Sequence, residues 1–127
     1  MILKGVFNNE KQNMFRYEAK VLKIVDGDTI DAIVDLGFST FKKVRIRLYG
    51  INTPESRTRD KEEKIRGLAA KERLEQLLEN NDHPFILQSH GVGKFGRCLG
   101  EIWVGDVNIN KKLVTEGHAV EYYGGKR

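Results

Sequence analysis

The sequence predicts a mixed α+β, β-rich fold, and three observations carry that reading. Three runs of alternating apolar and polar residues follow one another at 17–25, 28–36 and 41–48, the period of a strand with one face on a core. A stretch of helical period comes next, with Gly67, Ala70, Leu74, Leu77 and Leu78 on one stripe. Two further short strands, 85–88 and 99–104, then flank a glycine-rich loop at 90–97.

The individual elements follow from local chemistry. Tyr17, Ala19 and Val21 alternate with lysines in the first strand, and Asp26-Gly27-Asp28 is a turn signal leading into the second. There Ile30, Ala32, Val34 and Leu36 share one face, and Gly37-Phe38-Ser39 ends the run. In the third strand Val44, Ile46 and Leu48 point to the core, leaving Arg45 and Arg47 on the other face. Polar residues 56–63 make a loop or a frayed helix start, Ile65 falls off the helix's apolar stripe, and Asn80-Asn81-Asp82 stops the helix. After Gly105-Asp106 a short partner strand covers 107–109, and Asn108 or Asn110 caps a brief helix that Gly117 ends. Five strands with the main helix between the third and fourth, plus a short C-terminal helix, is the order of an OB-like Greek-key barrel. An SH3-like barrel or a small α+β sheet accommodates the same order.

At 127 residues the chain is expected to be one domain, long enough to bury roughly two thirds of its unfolded surface. The domain is assigned to 16–123, with a loosely ordered leader at 1–15 and a polar tail at 124–127. A single cysteine, Cys98, excludes an intramolecular disulfide and a multi-cysteine zinc site; it reads as a small apolar strand residue. No stretch has the length of a signal peptide's apolar segment or of a membrane span, so a soluble, intracellular monomer without membrane contact is expected. An exported precursor trimmed before this sequence begins would read identically. The 22 Lys and Arg against 18 Asp and Glu leave a net charge of +4, a mild preference for polyanions sharpened by Lys42, Lys43, Arg45 and Arg47 on one strand. The glycine-rich loop lacks P-loop spacing and no helix follows it, which excludes a nucleotide triphosphate cradle. His83, His90 and His118 are scattered without metal-ligand spacing, and Trp103 is assigned to the core.

Chemistry concentrates in the stretch 45–55. A strand bearing two arginines passes through Gly50 into Asn52-Thr53-Pro54-Glu55, where the proline stiffens the turn and removes an amide donor. Such a turn holds a backbone carbonyl and the Glu55 carboxylate in place, as a metal site or a general base requires. Asp26-Gly27-Asp28-Thr29, then Arg47 with Gly50 to Glu55, then Lys94-Phe95-Gly96-Arg97, in that order around a helix carrying Gly67 and Ala70, resemble the signature of the staphylococcal nuclease (thermonuclease) family. The likeness runs from about residue 17 to residue 123.

That resemblance implies an OB barrel with helices and a calcium-dependent nuclease, with another divalent ion as an option, that cleaves DNA or RNA and leaves 3′-phosphates. It implies Asp28, Asn52 and the Thr53 carbonyl as the metal set, Glu55 as the base that activates water, and Arg47 and Arg97 as the pair that hold the phosphate. Lys94 and Phe95, together with Tyr122 or Tyr123 near the bound nucleotide, are the implied substrate contacts. Two departures stand out. Asn52 occupies a position that is an aspartate ligand in typical members, which removes one formal charge; Asp31 or Asp60 could compensate. The family also continues into another helix beyond the tyrosines. Arg45, which alternates with Arg47, is assigned to solvent, with substrate contact as the alternative. The alternatives are a catalytically silent OB module that binds single-stranded nucleic acid or a protein through the same groove, with Asn52 as its mark, and a purely structural partner-binding domain.

Overall fold

A computed structural model describes residues 15–78 and 84–123. The leader up to residue 14, the Asn80-Asn81-Asp82 stop, His83 and the tail at 124–127 lie outside them. Three strands open the chain: β1 (Arg16–Asp26), β2 (Thr29–Gly37) and β3 (Thr40–Leu48). At 11, 9 and 9 residues they match the runs expected at 17–25, 28–36 and 41–48 to within two residues. After β4 (Ile51–Asn52) come helix α1 (Lys61–Leu77), β5 (Phe85–Val92), β6 (Cys98–Val104), β7 (Val107–Asn108), helix α2 (Ile109–Thr115) and β8 (Val120–Glu121).

The strand order β3-β2-β1-β5-β6 is closed by a parallel pairing of β3 with β6, in which Ile46 faces Cys98 and Leu48 faces Gly100. Closure leaves no free edge on the five-stranded OB-like barrel. Ile30, Ile46, Leu48, Leu87 and Ile102 fill it, and Leu74 and Leu113 seal it from α1 and α2. Asn108 is the residue that caps α2, accepting from the Lys111 amide at 3.1 Å. Asn110 instead faces the barrel, where its side chain accepts from Ile102 N and donates to Tyr49 O and Gly100 O at 2.9–3.1 Å.

Helix α1 is seated by glycine. A Cβ on Gly67 would meet the Glu55 carbonyl and lie 2.6 Å from Ser56 N, and one on Gly27 would lie 2.8 Å from Ala70 Cβ. One helix therefore backs both the Asp26–Asp28 turn and the Glu55 turn. Ile65, at 69% exposure, faces solvent on the opposite side.

Three sequence expectations are corrected. Leu36 is 43% exposed rather than inward, because the β2–β3 hairpin projects past the barrel after a register shift between Asp35 and Gly37. Trp103 alternates outward from Ile102 and lies beneath the Arg16 guanidinium, 5.8 Å from its ring centre, instead of in the core. The glycine-rich loop is also shorter than 90–97, since β5 keeps pairing with β6 through Ser89 and then Val92 opposite Cys98.

Candidate active site

The tight turn between β1 and β2 buries Asp28, which is 7% exposed. Its Oδ1 accepts from the Thr29 hydroxyl at 3.0 Å, and its Oδ2 accepts from the Thr53 amide at 3.0 Å. The carboxylate thereby ties the first hairpin to the turn after β4. Arg47, at the end of β3, lies 3.5 Å from Asp28 Oδ2 and donates to Leu48 O at 2.9 Å and to Asn52 Oδ1 at 3.0 Å. Asp28, Arg47, Asn52 and Thr53 thus form one continuous polar ring.

Glu55 is exposed, while its backbone is fixed from below. Glu63, in the first turn of α1, accepts from the Glu55 amide at 3.1 Å. Asp26 accepts from Ser56 N at 3.1 Å and from the Ser56 hydroxyl. Asp26 and Glu63 are positioning residues that sequence reasoning passed over; the acidic doublet around Gly27 was the signal for the first, and nothing local marked the second.

Two depressions meet at this ring. The first, of about 320 Å³, is lined by Arg47, Arg97, Tyr49, Leu99, Tyr122 and Tyr123 among others. The second, of about 640 Å³, takes in Asn52, Thr53, Glu55, Glu63, Arg66 and His118. The Arg47–Asn52 hydrogen bond spans the two. The arginines and both tyrosines therefore share one cleft, while Glu55 opens onto the neighbouring one. Phe95 is 91% exposed, sits at φ 63°, and has the Arg97 guanidinium 5.7 Å from its ring centre. A bulky residue in left-handed backbone is strained, and such strain persists where the surroundings fix it. Lys94 contributes its backbone to the same single turn, Lys94–Gly96; its side chain is outside the described ones.

The tyrosines arrive through pairings that carry no sequence period. β4 and β8 form a two-stranded sheet, Ile51 opposite Glu121 and Asn52 opposite Val120, and Tyr122 N donates to Gly50 O at 2.8 Å. Gly50 has φ 79°, and a Cβ there would lie 2.9 Å from the Tyr123 ring. Glycine is needed at this position on both counts. Tyr123 meets Tyr49 edge-on at 5.6 Å, and Tyr49 stacks on His90 at 4.1 Å.

Neither proposed compensator for Asn52 reaches the ring. Asp31 is held by Arg45 through two bonds of 2.8 and 3.1 Å, and Asp60 caps α1 by accepting from Glu62 N and Glu63 N. Among the described residues no group of three or more His, Cys, Asp or Glu gathers to hold a metal. The side-chain oxygens at the ring belong to one carboxylate, Asp28, and one amide, Asn52. An all-oxygen set of this kind suits a hard cation that keeps water or ligand oxygens in its shell, and does not suit zinc.

Fold and site together define an OB-type barrel with a cationic, tyrosine-walled cleft beside an acidic turn. The chain belongs to the staphylococcal nuclease homologue family, whose model matches residues 45–127. It is 33% identical over 115 residues to the thermonuclease of Staphylococcus intermedius, covering 91% of this chain and 66% of that protein. The thermonuclease of Staphylococcus hyicus is 31% identical over 100 residues, with coverage of 79% and 56%. A micrococcal nuclease of Shigella flexneri is 31% identical over 119 residues, with coverage of 85% and 61%. The chain thus spans between 56% and 66% of the length of these relatives.

Proposed function

We propose that this domain hydrolyses phosphodiester bonds of DNA or RNA, assisted by a calcium-type divalent ion, and leaves 3′-phosphate ends. The observation that carries the reading is the shared cleft of Arg47 and Arg97, joined through the Arg47–Asn52 bond to the turn bearing Glu55. Family membership and relatives named as nucleases support it.

Attack of water on a phosphodiester raises the charge on the non-bridging oxygens. Two guanidinium groups suit that charge, because each planar fork meets two oxygens at once. Glu55 takes the proton of the attacking water; the new P–O bond forms as the bond to the 5′ oxygen breaks, the 5′ oxygen takes a proton from solvent water and leaves as a hydroxyl, and Glu55 releases its proton to solvent. Asp28, Asn52 and the Thr53 carbonyl are the residues that would hold the ion, which when bound supplies positive charge beside the phosphate. Tyr122 and Tyr123 wall the cleft and orient the nucleotide, with substrate contacts from Phe95, beside Arg97, and from Lys94 completing the set. All of these groups come from one chain, so a monomer suffices.

The bond from Arg47 to Asn52 favours a second reading. An uncharged amide in the metal ring fits a silent module that binds the strand without cutting it. End-labelled single-stranded DNA and RNA incubated with the wild type and with Arg97→Ala separate the two. Fragments from the wild type in calcium, and none from Arg97→Ala, are expected. Salt-sensitive binding without fragments under any divalent ion would establish the silent module.

A further inference from the structure

Beyond Arg47, the outward face of β1, β2 and β3 takes no part in the cleft chemistry. Alternation along β3 places Arg47, Arg45, Lys43 and Phe41 on it in a row. Across the sheet, Arg45 and Lys43 stand beside Asp31 and Ile33 of β2, which in turn face Lys23 and Lys20 of β1. A strand rise of about 3.4 Å per residue sets successive cations of the row about 7 Å apart, a step that an extended single-stranded backbone can follow.

Arg47, Lys20, Lys23, Lys43 and Arg45 bring five positive charges to this face against the three negative charges of Glu18, Asp31 and Asp35. The hydrogen bond from Arg45 holds the Asp31 carboxyl below its usual range, and the charges of Arg45, Lys43 and Lys23 act in the same direction, so these cations converge on one spot. Lys20, Lys23 and Lys43 form no ion pair among the described residues. Phe41, 59% exposed, ends the row, and Ile33, 36% exposed, lies between the lysines. Exposed aromatic surface on a cationic sheet fits stacked, unpaired bases, whereas a duplex offers only its phosphates.

We infer that this face is a track for single-stranded nucleic acid, leading the strand from the Arg47 cleft along Arg45 and Lys43 to a stacking platform at Phe41, with Lys20 and Lys23 as a second rail. The inference rests on the hydrolase reading above and extends it to substrate class and length. Binding of fluorescein-labelled oligothymidylates of about 3 and about 12 nucleotides tests it. The variants are the triple Lys20→Gln, Lys23→Gln, Lys43→Gln and, separately, Phe41→Ala. The triple variant weakens the long oligonucleotide roughly 10- to 100-fold near 0.1 M salt and lowers its log–log salt slope by about 2. Phe41→Ala weakens the long oligonucleotide about fivefold. The short oligonucleotide is bound and cut as before by both variants, which also shows that they fold. If the wild type binds and cuts while the variants match it on the long oligonucleotide, or lose both lengths alike, the track is wrong and the hydrolase reading stands. Displacement of the long strand by polyglutamate as readily as by unlabelled strand would assign the face to acidic protein and overturn the track. A wild type that neither binds nor cuts either length overturns both readings.

Discussion

Arg47 donates to the side-chain oxygen of Asn52 at 3.0 Å while standing 3.5 Å from Asp28, so one guanidinium bridges the buried carboxylate and the uncharged amide of the ring. With aspartate at position 52, the same geometry would hold two carboxylates around the ion site and a charge-assisted bond to Arg47. Asn52→Asp is predicted to tighten calcium binding on the order of tenfold, read by isothermal titration, because ligand charge sets affinity for hard cations. An unchanged dissociation constant would place the ion elsewhere.

Gly67 carries a second prediction. Alanine would improve helix propensity by roughly 1 kcal/mol, yet its Cβ would meet the Glu55 carbonyl and Ser56 N, which are backbone and cannot swing aside. Overpacking costs about 1–3 kcal/mol and should win. Urea melts of Gly67→Ala are expected to show a net loss of up to about 2 kcal/mol, with cleavage falling further than stability because the Glu55 turn shifts.

Asn110 is 3% exposed and serves three backbone groups on β6 and the β3–β4 connection. Alanine there strands buried polar groups, a loss of roughly 2–4 kcal/mol on summing the unmade bonds. Asn108→Ala removes the cap of α2 and the bond that its amide donates to the partly buried Glu101 carboxylate at 3.1 Å, and should cost about 1 kcal/mol, mostly from the cap. Equal losses in the two variants would show that Asn110 does not pin α2 to the barrel.

Acid sensitivity follows from Glu116. Its hydrogen bond from Arg73 brings the carboxyl from 4.5 down to about 2. A carboxyl depressed in the folded state contributes stability that is complete above the unfolded value and lost as pH falls through the folded one. Wild type should therefore exceed Glu116→Gln in Tm at pH 6, modestly for so exposed a pair. The gap should close between about pH 4.5 and pH 2. A gap that persists at the acid end would assign the effect to another group.

Much of the barrel was legible because its first three strands have one face on the core and one on water, so Ile30, Ala32, Val34, Ile46 and Leu48 keep period two. The stripe of α1 was legible for the same reason. Leu36 and Trp103 misled because an apolar residue in register says nothing about where a barrel ends or which face a partner covers. Ring members Asp28, Arg47, Asn52 and Thr53 came from motif order. What joins them did not: β4 and β8 are two residues each and too short for any period. Asp26 and Glu63 act on backbone amides, which one-dimensional spacing does not display.

The most direct test of the hydrolase reading is cleavage of labelled single-stranded DNA by wild type and Glu55→Gln, each in calcium and in chelator, with binding measured alongside. Calcium-dependent cleavage by the wild type is predicted, together with Glu55→Gln that binds the strand undiminished and cuts it slower by a factor on the order of 100 or more. Full cleavage by Glu55→Gln, or wild-type cleavage that persists in chelator, would contradict it.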